Sequence, residues 1–187
     1  TASAREEDSI AIVGLGGVGL SALLASIAIG SKKTIAIDLS NEKLNLAHEL
    51  GADHILNPND ANFLERVRDL TSGGANIAIE TAGSGRALKT AYDITRRGGT
   101  TVAAGMPGPK VDITLSHLSI AAEERIIKGS YMGSCIAHRD IPKYLDMFQT
   151  GKLPVDRLLS RKITFEDLNA AMDRLDDAKT VREVLIP

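Results

Sequence analysis

The sequence predicts an α/β protein built on a doubly wound, parallel sheet of six strands, and three observations predict it. Short apolar runs alternate with stretches of helical periodicity along most of the 187 residues. Right-handed crossovers turn such alternation into a parallel sheet with helices on both faces. The core must be aliphatic: hydrophobic residues make up 43% of the chain, Trp is absent, and only three Tyr and three Phe occur. Strands covered on both faces read as such Val/Ile/Leu/Ala runs. Finally, the first apolar run ends in a glycine-rich turn that opens a helix, the joint that begins a dinucleotide-binding sheet.

The elements follow in order. Residues 9–14 (SIAIVG) form a first strand, and residues 17–29 a helix stopped by Gly30. Residues 34–38 (TIAID) are the second strand; Ser40 caps the next helix, which runs through Leu44, Leu46, Ala47 and Leu50 to Gly51. Residues 54–56 make a short third strand, after which Asn57-Pro58-Asn59-Asp60 opens a helix through Phe63, Leu64, Val67 and Leu70. Residues 76–80 (NIAIE) are the fourth strand. Ser84 is placed to cap a helix reaching Arg96, and Gly98-Gly99 turns the chain into strand five, residues 100–104. Proline and glycine keep residues 105–109 (GMPGP) irregular. A short helix over residues 115–123 then leads to strand six, residues 126–131. Six such strands imply the order 3-2-1-4-5-6 of the Rossmann fold.

Near Met132 the pattern changes, dividing a nucleotide-binding unit of residues 1–131 from a segment of residues 132–187. Arg139 or Asp140 begins a helix with Pro142 in its first turn, running through Tyr144, Leu145 and Phe148 to Gly151. Thr164-Phe165-Glu166-Asp167 is a near capping box before Leu168, Ala171, Met172 and Leu175. Residues 180–186 read as a strand with no sheet of its own to join, so the tail is expected to be an α/β remnant of a second domain.

Composition excludes several classes. A formal net charge of -2 gives no reason to expect nucleic acid or an anionic membrane as partner. No apolar run reaches the length of a membrane span. The single cysteine, Cys135, cannot form an internal disulfide, which fits a reducing cytoplasm. The polar start without Met suggests trimming of a longer polypeptide.

Gly14-Leu15-Gly16-Gly17-Val18-Gly19 fits G-x-G-x-x-G. The first glycine permits the tight turn, the second lets a pyrophosphate approach the backbone, and the third lets helix and strand pack closely. Free amides and the positive helix end then face the phosphates. Asp38 ends the second strand about 20 residues on, where a carboxylate accepts from an adenosine ribose and repels a 2′-phosphate. Lys43, one turn into the following helix, can lie alongside that ribose. Three further turns are expected to line the groove at the strand ends: Glu80-Thr81-Ala82-Gly83, Ala104-Gly105-Met106 and Ser130-Tyr131-Met132. The pattern therefore calls for NAD as cofactor.

The runs GLGGVGLSAL, AIDLSNEKLNLAHELGA, IETAG, AAGMPG, IKGSYMGS and KTVREVLIP, in this order and spacing, resemble the zinc-type medium-chain alcohol dehydrogenases, nearest the branch containing glutathione-dependent formaldehyde dehydrogenase. The resemblance implies that Val18 backs the nicotinamide, Asp38 and Lys43 hold the ribose, and Thr81 and Ala82 flank the cofactor. It gives the carboxamide to the backbone of Ala104, Ser130 and Met132, and the pyrophosphate to Arg182, whose planar fork suits it. It also implies a small alcohol or aldehyde substrate, a homodimer or larger assembly through the strand-six edge, and zinc only in an amino-terminal domain that this chain starts after. Cys135, His48, His54, His117 and His138 show no ligand spacing, so no metal ligand and no catalytic residue is assigned.

Two other readings stay open on the residues alone. A non-catalytic NAD-sensing module uses the same fold, and an S-adenosylmethionine methyltransferase also carries a glycine turn and an acid, with a seventh, antiparallel strand. The absence of a Tyr-x-x-x-Lys pair speaks against a short-chain dehydrogenase.

Overall fold

A computed structural model describes residues 1–176 and 180–186. Its main sheet has strands β1 (Ser9–Val13), β2 (Lys33–Ile37), β3 (His54–Leu56), β4 (Ala75–Glu80), β5 (Thr95–Ala103) and β6 (Ile126–Gly129) in the order β3-β2-β1-β4-β5-β6. Every neighbouring pair is parallel, and among the described residues no antiparallel strand joins them. The order reverses between β1 and β4, which opens the crevice where such sheets bind ligands.

Alternation along the strands divides the core in two. Ile10, Ile12, Ala36 and Ile77 pack on one side with Leu20, Leu23 and Leu24 of α1 (Gly17–Ala28) and Leu44 and Ala47 of α2 (Asn41–Glu49). Ala11, Val13, Ile35, Ile37 and Ala78 face the other way, onto Phe63 and Val67 of α3 (Phe63–Thr71) and Ala91 and Ile94 of α4 (Gly85–Ile94). The period-two side-chain rule thus feeds both layers from the same five- and six-residue runs.

Local chemistry sets the helix ends. Ser40 and Ser84 cap α2 and α4 by accepting the amides of Lys43 and Ala87. The Asn57–Asp60 stretch is a turn rather than helix, with Asn59 N–H bound to Asn57 Oδ1 and α3 starting at Phe63. Helix α4 stops at Ile94, two residues short of the expected Arg96, because the β-branched Thr95 turns extended (ψ 132°) and donates its hydroxyl to Ala91 O. The Gly98-Gly99 turn then appears as a register shift inside β5. After the short α5 (His117–Ala122), β6 forms the exposed edge of the sheet, with Ile126 and Ile127 44% and 41% accessible.

The tail differs from expectation in two ways. Helix α6 (Ala137–Gln149) begins ahead of Arg139, because Asp140 accepts Ile136 N–H at 2.9 Å and pairs with Arg139 at 2.6 Å. Pro142 consequently stands in the second turn, where its missing N–H leaves the His138 carbonyl without a helical donor. The tail also has a small sheet of its own: β7 (Arg161–Ile163) pairs in parallel with β8 (Glu183–Leu185), the two linked by α7 (Leu168–Asp176). The expected terminal strand 180–186 shrinks to β8, and its neighbour β7 was too short for periodicity to expose. The tail is moreover tied to residues 1–131, since Leu153 and Leu158 are buried in the α1–α2 side of their core. No described helix is long and apolar enough to cross a membrane.

Candidate functional site

The site gathers at the carboxyl ends of β1, β2, β4, β5 and β6. Gly14 leaves β1 with φ +95° and donates its N–H to Ile37 O at 2.8 Å, a conformation that favours glycine. Helix α1 then starts without a side-chain cap on Gly16. The amides of Gly17 and Val18 donate to no described residue, so unpaired donors stand at the positive end of a helix. The two remaining motif glycines meet opposite surroundings. A Cβ on Gly19 would lie 1.8 Å from Gly14 O and 2.7 Å from Thr81 Oγ1, whereas one on Gly16 would meet nothing within 4 Å. Gly19 is required by the fold, and Gly16 leaves room for something else.

Asp38 ties this turn to β2. Its Oδ2 accepts the Leu15 amide at 2.7 Å and its Oδ1 the Ser40 amide at 2.9 Å. An ionised carboxylate has about four acceptor positions, so roughly two are left for a ligand. Thr81 makes the link from β4, donating its hydroxyl to Gly14 O at 2.6 Å.

Two cavities flank the turn. One, of about 350 Å³, is lined by Gly14, Asp38, Leu39, Lys43, Ala82 and Arg86 among others. The second, of about 670 Å³, is lined by Val18, Thr81, Ala104, Ser130 and Met132. The same cavity also touches residues 1–4, Cys135 and Tyr144. Thr1 Oγ1 lies 2.9 Å from Ser130 Oγ and 2.6 Å from Ser134 Oγ. Burial, and after it the neighbouring Cys135, pushes the Tyr144 hydroxyl pKa above its ordinary value. Arg182 comes from the far end of the chain, yet its Nη2 would be 3.4 Å from a Cβ on Gly17. It therefore stands over the start of α1.

Of the residues singled out in the sequence, Gly14, Asp38, Lys43 and Ala82 meet in the first cavity and Val18, Thr81, Ala104, Ser130 and Met132 in the second. Gly16 and Gly17, between Gly14 and Val18 in the chain, line neither cavity, nor does Arg182, whose guanidinium stands beside Gly17. Gly105 and Met106 line neither cavity. A Cβ on Gly105 would sit 2.2 Å from Gly83 N and 2.9 Å from Glu80 Oε1, so its role here is close packing of two turns; the Met106 side chain is 77% exposed. Sequence reasoning missed Leu39 and Arg86. An apolar residue directly after the acid, left 57% exposed at a turn, was the available signal for Leu39. Arg86 was hidden in the first turn of α4 behind its Ser84 cap. Glu80, expected with its turn to line the groove, is instead buried and lines neither cavity; it accepts Gly83 N–H at 2.6 Å.

The donors fit an anionic diphosphate joined to a sugar: unpaired amides, an open glycine, a guanidinium and a carboxylate with spare acceptors. They do not fit a metal. Among the described residues no group of three His, Cys, Asp or Glu is placed to hold one, so no metal-dependent step is derived from this chain.

Comparison with known proteins agrees with this geometry. The chain is 32% identical over 179 residues to a geraniol dehydrogenase of Castellaniella defragrans, which covers 95% of this chain and 48% of that protein. It is 32% identical over 182 residues to an alcohol dehydrogenase class-2 isozyme of Oryctolagus cuniculus, covering 94% and 47%. The crystal structure of benzyl alcohol dehydrogenase from Acinetobacter calcoaceticus superposes with a TM-score of 0.94 at 29% identity, over 98% of this chain and 51% of that one. The chain thus spans about half the length of the relatives it matches. Residues 17–150, from the first turn of α1 to the end of α6, match the family described as zinc-binding dehydrogenase, and it is to this family that the chain belongs.

Proposed function

We propose that this chain is the NAD(H)-binding half of a zinc-type alcohol dehydrogenase that oxidises small alcohols or reduces the corresponding aldehydes. The observation that carries the reading is the junction at α1: an open Gly16, unpaired amides at Gly17 and Val18, and Arg182 above them, with Asp38 one strand away. In this reading the diphosphate lies on the amides of α1, the adenosine enters the cavity beside Asp38, and the nicotinamide enters the cavity beside Val18. Asp38 accepts from the ribose hydroxyls with its spare positions and repels a 2′-phosphate, which favours NAD over NADP. Lys43 lies alongside that ribose, and Leu39 and Arg86 give a flat base an apolar and a guanidinium surface. Val18 backs the nicotinamide, Thr81 and Ala82 flank the cofactor, and the backbone of Ala104, Ser130 and Met132 meets the carboxamide. When bound, the nicotinamide supplies hydride acceptance or donation. This chain's residues bind and orient that ring.

We take residues 132–187 to belong with a catalytic unit that also holds the zinc, and the likeness of the motif run to the branch containing glutathione-dependent formaldehyde dehydrogenase as a guide to subfamily. Edge strand β6 is assigned to pairing with a second copy. Titrating the folded chain with NADH and following nicotinamide fluorescence tests the cofactor reading. Saturable binding, weaker for NADPH, supports it; no binding at millimolar cofactor refutes it.

A further inference from the structure

Arg182 is held in place by a serine that no part of the motif run includes. Residues 181 and 182 precede β8, whose ladder with β7 begins only at the Arg161–Glu183 pair. Their amides therefore have no strand partner. Ser160 supplies one: its Oγ accepts Val181 N–H at 3.0 Å and Arg182 N–H at 3.3 Å, and its own N–H donates to Arg182 O at 2.8 Å. Ser160 is itself anchored. Two residues before it, Leu158 is only 3% exposed within the α1–α2 core, and Arg157 Nη2 donates to Glu49 O at the end of α2 at 2.8 Å. On the other side of Arg182, Glu183 takes a two-pronged grip from Arg174, at 2.9 and 2.8 Å.

We propose that Ser160 is a positioning residue for the cofactor diphosphate, its hydroxyl oxygen fixing the backbone from which Arg182 delivers its charge to the start of α1. The proposal rests on the dinucleotide reading above. An arginine side chain has much rotamer freedom to lose, so an anchored base lowers the cost of placing its fork. The clamp also explains how a residue near the end of the chain reaches a turn near its beginning: the buried Leu158 sets the height of Ser160, and Ser160 sets Arg182. A serine serving only to start the small β7–β8 sheet would have no bearing on which part of a ligand is bound.

The test is a double-mutant cycle on the full chain, reading NADH affinity by fluorescence and adenosine affinity by calorimetry, with thermal melting to confirm folding. Arg182→Ala is expected to weaken NADH by about ten- to hundredfold, the worth of a charge-assisted contact to phosphate, and to leave adenosine unchanged. Ser160→Ala is expected to weaken NADH by about three- to tenfold, again sparing adenosine, and to add nothing in the Arg182→Ala background. Ser160→Thr, which keeps the hydroxyl, restores NADH affinity. The proposal is overturned if Ser160→Ala leaves NADH affinity intact while Arg182→Ala lowers it, if the two losses add, or if adenosine weakens equally. Failure of the underlying reading looks different: Arg182→Ala would then have no effect, or the unmodified chain would bind no NADH.

Discussion

Two glycines three residues apart should respond in opposite ways to the same added methyl group. At Gly19 an ideal Cβ would stand 1.8 Å from Gly14 O, 2.7 Å from Thr81 Oγ1 and 2.9 Å from Gly14 C. Ordinary carbon contacts lie near about 3.5 Å, so the helix and the turn would have to separate by well over an ångström. Neither neighbour can yield: Gly14 O is backbone that also takes the Thr81 hydroxyl, and Gly14 already sits at φ +95°. Overpacking typically costs about 1–3 kcal/mol, and this contact belongs at or above the upper end. For a chain of this size about 3 kcal/mol lowers Tm by roughly 6–12 °C. At Gly16 the methyl group meets nothing within 4 Å, and φ −80° suits alanine. The expected cost is only that of a poorer helix cap, about 0.5–1 kcal/mol, or a few degrees. Yet Gly16→Ala should lower NADH affinity at least about tenfold, because the space it fills is the space a diphosphate needs. Differential scanning calorimetry with NADH titration of both variants decides the matter. A Gly16→Ala protein that binds NADH normally would falsify the placement of the diphosphate, and a Gly19→Ala protein that melts normally would refute the packing argument.

Other perturbations follow from the same geometry. Asp38→Ala removes acceptors from two amides, one on the fully buried Leu15, and should cost about 1–3 kcal/mol of stability. It should also weaken NADH and narrow the preference over NADPH; an unchanged preference measured by competitive titration would remove Asp38 from the selection. In the tail, Arg174 holds the Glu183 carboxyl below its ordinary pKa, first through their hydrogen bonds. A lowered carboxyl pKa stabilises the fold above the ordinary carboxylate range and loses that contribution as pH falls through the lowered value. Hydrogen exchange of the β7–β8 amides should therefore quicken on acidification, and Glu183→Gln should abolish that pH dependence; equal acid sensitivity in both proteins would contradict it. Ile127→Lys on the β6 edge should shift the molecular mass from light scattering toward the monomer, and an unmodified chain already monomeric would refute pairing through that edge.

Much of the site was legible in the residues themselves. G-x-G-x-x-G demanded a turn that needs glycine at positions 14 and 19, and the acid at the end of the second strand followed from the fixed length of a strand–helix–strand unit. Local signals such as the Ser40 and Ser84 caps placed helix starts, because capping is chemistry between residues three apart. The exact end of α4, the start of α6 and the strand β7 were not legible. Thr95 leaves its helix through one hydroxyl bond, Asp140 caps backwards, and three residues are too few to show a period. Leu39 and Arg86 escaped for another reason: nothing in a linear spacing says which surface residue will face a cavity.

By itself the sequence determined the order of the main sheet and the glycine turn, since both depend on neighbours in the chain and on the chirality of parallel crossovers. Only the tertiary structure decided that a tail expected to stand apart sends Leu158 into the core, builds a small sheet around Ser160 and brings Arg182 back to Gly17. Contacts between positions 17 and 182 arise from burial and backbone pairing across the whole fold, and those forces leave no periodic trace along the chain.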